Sequence, residues 1–153
     1  MVRFFLLALL TSQGFLFSTP NFSFAQEDKS SEKELAKLSG SWIPQSAELG
    51  GQKLPEDFLV KVSLLISGNS YSSKVGTQAD KGNLKLNSLS KPKTLDIIGI
   101  EGPNQGKTFP AIYEFAGNTL MICYDLESKK RPEAFKSLPG SQIFLVTYKR
   151  EVK

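Results

Sequence analysis

The sequence predicts an all-β domain, an eight-stranded up-and-down antiparallel barrel with at most one or two short helices. From Gly40 onward, apolar and polar residues alternate with a period of two, which is typical of strands that bury one face. Turn residues interrupt the alternation at intervals of about eight to twelve positions. Eight such segments are enough to close a barrel, and closure removes the unpaired strand edges that promote aggregation.

The first 25 residues have the features of a secretory signal peptide. A short basic start with Arg3 precedes an apolar run over residues 4–10, and small residues occupy Ser23 and Ala25. The apolar run is shorter than the ~18 residues that a membrane-spanning helix needs. We therefore expect cleavage after Ala25, export to the periplasm or the cell exterior, and no integral membrane segment in the mature chain.

The remaining chain divides into two parts. Residues 26–38 are polar and predict a flexible leader or a short helix that closes one end of the fold, and residues 39–153 form the barrel domain. Proline is favourable at the first position of a helix, so a further turn of helix is expected from Pro55 to Leu59. The eight strands are expected at residues 40–49, 60–67, 71–75, 81–87, 94–100, 108–115, 119–125 and 143–150.

The composition excludes several classes of function. The chain has no His and a single Cys, Cys123, so it cannot form a Ser-His-Asp or Cys-His catalytic group, a His/Cys zinc site or an intramolecular disulfide. Loss of Arg3 with the signal peptide lowers the formal charge from +4 to +3. This mild excess is spread along the chain, whereas nucleic-acid-binding proteins carry a basic stripe. We expect a non-enzymatic protein with no metal, cofactor or nucleic-acid partner.

Gly40-Ser41-Trp42 opens the first predicted strand, and Arg150 ends the last. A Gly-X-Trp start, eight strands and a late Arg resemble the lipocalin pattern. The resemblance implies that Trp42 closes the base of the barrel and that Arg150, or alternatively Lys149, packs across it. Gly40, Trp42 and Arg150 are therefore expected to be structural closure residues.

Further stretches resemble an uncharacterised family of exported bacterial lipocalin-like domains, over roughly residues 37–150. No activity or site is implied by that family, so the resemblance bears on the fold. The stretches include Leu38-Ser39-Gly40-Ser41-Trp42, Ile112-Tyr113-Glu114-Phe115, Leu120-Met121-Ile122-Cys123-Tyr124, Arg131-Pro132-Glu133-Ala134-Phe135 and Pro139-Gly140-Ser141.

Four residues are candidates for ligand binding. Arg131 and Phe135 lie in the longest predicted loop, residues 127–142, and loops of more than ~12 residues are often lids or binding loops. An Arg at the barrel mouth would suit an anionic ligand such as a fatty acid. Tyr113 and Tyr124 are expected on the inner face, where their hydroxyls need partners. Purely structural roles are the alternative for all four residues.

The leading hypothesis is an exported barrel that binds a small apolar or amphipathic ligand. An eight-stranded barrel is just wide enough to hold one small ligand or to be filled by its own side chains. The alternative is therefore a structural or protein-interaction domain of the cell envelope with a filled barrel. The sequence leaves the oligomeric state and the open end of the barrel undetermined.

Overall fold

A computed structural model describes residues 22–152, and it contains a closed antiparallel barrel with two short helices. The helices are α1 (Phe22–Leu38) and α2 (Glu56–Leu59). The strands are β1 (Gly40–Leu49), β2 (Gln52–Lys53), β3 (Val62–Ser67), β4 (Ser70–Val75), β5 (Gln78–Asn87), β6 (Lys93–Glu101), β7 (Thr108–Ala116), β8 (Thr119–Asp125) and β9 (Ile143–Arg150).

Eight strands form the wall of the barrel, in sequence order. Each pairs with the next from β3 to β9, β1 pairs with β3, and β9 returns to pair with β1. The closing ladder runs from Trp42 opposite Arg150 to Leu49 opposite Phe144, with a register shift between Pro44 and Ser46. β2 only extends the far end of β1 as a short hairpin. The predicted eight-stranded, up-and-down barrel is confirmed.

The core fills the inside of the barrel, as the two-residue alternation requires. In β3, Leu64 and Ile66 are buried while Ser63 and Leu65 are exposed. The core continues around the wall through Leu84, Leu95, Ala111, Tyr113, Leu120, Ile122, Val146 and Tyr148. Burial of these side chains is the main contribution to stability, at ~25 cal/mol per Å² of apolar surface.

Two predicted strand boundaries were wrong. The expected strand at residues 60–67 begins at Val62, because the turn that ends α2 continues through Val60 and Lys61. Val60 is 79% exposed. The expected strand at residues 81–87 begins earlier, at Gln78, because a tight turn at Gly76 and Thr77 places Gln78 directly opposite Val75.

The barrel has two different ends. The closed end carries α1, together with the turns at residues 68–69, 88–92 and 117–118. The open end, opposite to it, carries α2, the turns at residues 76–77 and 102–107, and the long loop at residues 126–142. This loop packs on the outside of the barrel: the backbone N–H of Gly51 donates to Ser137 Oγ at 3.0 Å, and Cys123 on the outer face of β8 lies 3.7 Å from the carbonyl oxygen of Ala134.

Two inward glycines mark close approaches of the backbone. A Cβ at Gly82 would collide with the carbonyl oxygen of Ile98, and a Cβ at Gly99 would collide with the carbonyl oxygen of Asn104. A register shift between Lys81 and Gly82 accompanies the first of these approaches. These glycines therefore let the wall bend, as glycines in barrel strands commonly do, and they do not widen the interior.

Helix α1 packs across the closed end and is held there by hydrogen bonds and apolar contacts. Glu34 Oε1 accepts hydrogen bonds from the Tyr113 hydroxyl at 2.8 Å and from Lys93 Nζ at 2.6 Å. The Glu34 side chain is only 14% exposed, and Leu35 and Leu38 pack against the core. All these contacts come from residues beyond the predicted cleavage point. Residues 1–21 of the predicted signal peptide lie outside the described residues, and its cleavage stays a prediction.

Candidate functional site

A cavity of about 440 Å³ lies inside the barrel and reaches its open end. Small-molecule sites typically have volumes of about 300–1,000 Å³ and mostly apolar walls. The depth of the cavity is apolar, and its mouth is formed by the turns of the open end. The lining consists of Leu64, Ile66, Tyr71, Ser73, Val75, Gln78, Ala79, Asp80, Leu84, Leu95, Ile97, Pro103, Asn104, Phe109, Ile122, Tyr124, Leu126 and Tyr148.

One carboxylate, Asp80, organises the polar side of the mouth. It is on β5, two residues before Gly82, so it points inward with Leu84 and Leu86. Its Oδ2 accepts a hydrogen bond from the Tyr71 hydroxyl at 2.8 Å, and its Oδ1 accepts one from the backbone N–H of Asn104 at 3.0 Å. Burial raises the pKa of Tyr71 above its ordinary value, and the hydrogen bond from its hydroxyl to Asp80 raises it further. The phenol therefore stays a neutral donor.

Two further phenols line the cavity. The hydroxyls of Tyr124 and Tyr148 form no hydrogen bond to another described residue, and neither is a buried unpaired atom, so both reach the open space of the cavity. Burial raises the pKa of both phenols, and the negative charge of Asp80 also raises that of Tyr124. These hydroxyls are therefore accessible to a ligand or to water.

The ring of Tyr124 is held in place by aromatic neighbours. Its centroid lies 5.7 Å from that of Phe109 and 5.5 Å from that of Phe144, in edge-to-face arrangements. Such pairs contribute ~0.5–1.5 kcal/mol beyond the burial of their area. The wall of the cavity at Tyr124 is therefore preorganised.

The closed end is sealed by Trp42 and Arg150. Trp42 is fully buried, and its Nε1 donates to the carbonyl oxygen of Leu38 at 2.9 Å. The Arg150 guanidinium lies 4.3 Å from the centroid of the Trp42 ring and donates to the carbonyl oxygens of Ser39 and Lys37 at 2.6 and 2.5 Å. These donors satisfy carbonyl groups that the C-terminus of α1 leaves without partners.

Gly40 makes this closure possible. Its φ of +141° is a backbone conformation that other residues rarely adopt. A Cβ at this position would also lie 2.5 Å from Arg150 Nη1. The three expected closure residues thus contact one another at the closed end.

Of the four residues predicted to bind ligand, only Tyr124 is in the lining of the cavity. Tyr113 is on the inner face as expected, but it lies at the closed end and donates to Glu34. Burial raises its pKa, and the hydrogen bond to Glu34 adds to this effect. Phe135 is partly buried in the long outer loop. A binding role for these two residues stays a sequence-based prediction.

Arg131 lies against the outer face of β6 and β7. Its Nη1 donates to the carbonyl oxygens of Leu95 and Ala111 at 3.2 and 2.6 Å, and its Nη2 pairs with Asp96 Oδ1 at 2.6 Å. Asp96 alternates with the inward residue Leu95, so it faces outward. The guanidinium therefore ties the long loop to the barrel wall, through Asp96 and not through a carboxylate of its own loop. The binding role predicted for Arg131 stays untested.

Asp80, Tyr148 and Tyr71 are among the polar residues of the cavity that sequence reasoning missed. Asp80 was missed because the predicted strand began at Lys81, which placed Asp80 in the preceding turn. Tyr148 shares the inward parity of Val146 and Phe144, and this signal could have identified it. Nothing in the sequence brings Tyr71 to Asp80, because the contact depends on the register of the β4–β5 hairpin.

No family model, curated protein or solved structure matches this chain. The structure is consistent with the lipocalin-like barrel that the sequence motifs imply. Membership of the narrower family of exported domains stays a sequence-based prediction. Within residues 22–152, no helix is both long enough and apolar enough to cross a membrane.

Proposed function

We propose that this protein is an exported, non-enzymatic binding protein that takes a small apolar or amphipathic molecule into its barrel. The observation that carries the proposal is the cavity of about 440 Å³ at the open end. Its deep wall is made of aliphatic side chains such as Leu64, Leu84 and Ile97. Two tyrosine hydroxyls without partners among the described residues face the same space.

The construction of the two ends supports this function. At the closed end, Trp42, Arg150 and α1 fill and cover the barrel, and the cavity of about 440 Å³ is reached from the other end. At the open end, the loop at residues 126–142 packs outside the wall and only Leu126 of it lines the cavity. A barrel that is sealed at one end and hollow at the other is suited to hold one molecule.

The composition supports a role without catalysis. A chain with no His and a single Cys would need carboxylates, Lys or Tyr for acid–base or nucleophilic chemistry. The phenols of the cavity have raised pKa values, so they stay protonated at neutral pH and do not act as general bases there. Export to the periplasm or the cell exterior rests on the signal-peptide features of residues 1–25.

A cavity-filling variant tests the proposal. Ser73 lines the cavity from β4, and Ser73→Phe would occupy part of its volume. Ser72→Phe places the same side chain on the outer face of the same strand and is the matched control. We expect the unmodified protein and Ser72→Phe to bind a neutral, apolar fluorescent probe, and Ser73→Phe to bind it at least about tenfold more weakly, a difference of ~1.4 kcal/mol.

Native mass spectrometry of protein purified from its own cell envelope provides an independent test. We expect a reproducible additional mass that disappears after solvent extraction. A bare protein mass, together with no probe binding by the unmodified protein, would contradict the proposal. That result would favour a structural or protein-interaction domain of the envelope that acts through its outer surface.

A further inference from the structure

We propose that the ligand is a cationic amphiphile, an amine whose charged end pairs with Asp80 at the mouth and whose apolar body enters the barrel. This inference rests on the proposed binding function. It replaces the anionic ligand that an Arg at the mouth would have favoured, because the charged side chain in the lining is a carboxylate.

Asp80 has unused capacity to accept hydrogen bonds. An ionised carboxylate offers about four lone-pair positions. The Tyr71 hydroxyl and the Asn104 backbone N–H occupy two of them, one on each oxygen. The residue is partly exposed, on the side of the cavity that solvent reaches. An ammonium group at the mouth would supply the missing donors and a compensating charge, as charge-assisted hydrogen bonds do.

No basic side chain described in the structure lines the cavity to balance this carboxylate. The nearest in sequence, Lys81, has the opposite parity on β5 and pairs with Glu101 outside the barrel at 3.0 Å. Arg131 is paired with Asp96 on the outer face of the wall. The negative charge of Asp80 is therefore available to a ligand.

The aromatic lining also favours a cation. Phe109, Tyr124 and Tyr148 contribute rings to the cavity, and aromatic faces attract cations electrostatically. The hydroxyls of Tyr124 and Tyr148 can donate to a ligand oxygen or accept from an ammonium group, so they do not by themselves select the sign of the charge. Asp80 selects it, because a ligand carboxylate at the mouth would meet a like charge.

Three probes with the same dodecyl chain isolate the effect of the headgroup. Dodecylamine, 1-dodecanol and dodecanoate are titrated at neutral pH, below the concentrations at which they aggregate, and each displaces the neutral fluorescent probe from the purified protein. We expect the amine to bind most tightly, the alcohol next and the carboxylate least, with about tenfold or more between amine and carboxylate. Tightest binding by dodecanoate, or equal binding of all three probes, would overturn the inference.

Substitution of the carboxylate tests its role directly. Asp80→Asn removes the charge and keeps the shape of the side chain, and Asp57→Asn, at an exposed residue of α2 that does not line the cavity, makes the same change in net charge. We expect Asp80→Asn to remove the preference for the amine and Asp57→Asn to retain it. A preference that persists in folded Asp80→Asn would contradict the inference.

The outcomes separate this inference from the function on which it rests. If the neutral probe and all three dodecyl compounds fail to bind, the proposed function fails, and the cation preference fails with it. If the neutral probe binds and Ser73→Phe weakens it, but the headgroups do not differ, the binding function stands and the cation preference is refuted. The headgroup comparison on the unmodified protein decides this even if Asp80→Asn fails to fold.

Discussion

Replacement of Arg150 by Ala should destabilise the closed end of the barrel more than any comparable change on the outer surface. The guanidinium contacts the Trp42 ring at 4.3 Å and donates to the carbonyl oxygens of Ser39 and Lys37. A cation–π contact of this kind contributes ~0.5–2 kcal/mol. A hydrogen bond to a charged group contributes ~1.5–3 kcal/mol, but the bond to Lys37 is exposed and contributes less. We expect a loss of about 2–4 kcal/mol.

Urea unfolding provides the assay, because Trp42 is the only tryptophan of the chain and lies beneath Arg150. With a slope of about 2 kcal/mol per molar urea, the middle of the usual range, the midpoint for Arg150→Ala should fall by about 1–2 M. Arg150→Lys should lose an intermediate amount, since an ammonium cannot donate in the planar, forked geometry of Arg.

Lys149→Ala is the matched control, because Lys149 is the neighbouring exposed residue of β9. Surface substitutions of this kind change stability by no more than about 0.5 kcal/mol. An Arg150→Ala midpoint equal to that of Lys149→Ala would refute the assignment of Arg150 to barrel closure.

Three further predictions follow from the contacts of individual side chains. Arg131→Met should lower the free energy of unfolding by only ~1–2 kcal/mol, because solvent partly screens the ion pair with Asp96. The variant should bind the neutral probe as tightly as the unmodified protein, and weaker binding would favour a role of Arg131 at the mouth. All four tyrosines have pKa values raised above 10.0 in the folded protein. The unfolded chain therefore releases its phenolic protons at lower pH than the folded protein does, and the free energy of unfolding should fall as pH rises above about 10. Phenolate absorbance that appears before unfolding would contradict this. Cys123 is buried beneath the long loop and burial raises its pKa, so a thiol reagent should modify it only on unfolding; rapid modification of the folded protein would mean that the loop opens.

The strand pattern could be predicted from sequence because alternation and turn chemistry are local properties. The strand ends expected at Gly40, Leu49 and Asp125 agree with the structure. The start of β3 was predicted too early because Val60 is apolar and fits the alternation of the strand. In the structure Val60 lies in the turn after α2, where its backbone N–H donates to the carbonyl oxygen of Glu56. The short β2 escaped prediction because a two-residue strand carries no periodic signal.

The placement of the long loop could not be predicted, because a loop of this length can fold over the mouth or along the wall with similar local chemistry. Arg131 looked suited to a mouth, yet its partner is Asp96, 35 residues away in sequence. Cys123 illustrates the same limit: it alternates with Ile122 and Tyr124 on β8 and so faces outward, while the loop above it makes it fully buried. Contacts between distant parts of the chain determine both outcomes.

Asp80 is the residue at which a role in ligand binding can be distinguished most sharply from a role in stability. An inward-facing carboxylate in a barrel is costly to bury unless it is paired, and the two donors of Tyr71 and Asn104 satisfy it only in part. If Asp80 serves a ligand, Asp80→Asn should cost only ~1 kcal/mol of stability, about one hydrogen bond, and should greatly alter the headgroup preference. If Asp80 instead holds the loops of the open end together, the variant should lose ~3 kcal/mol or more and the preference should not depend on charge. Urea unfolding and the dodecyl titrations on the same preparation distinguish these results, because the two roles predict opposite patterns of change.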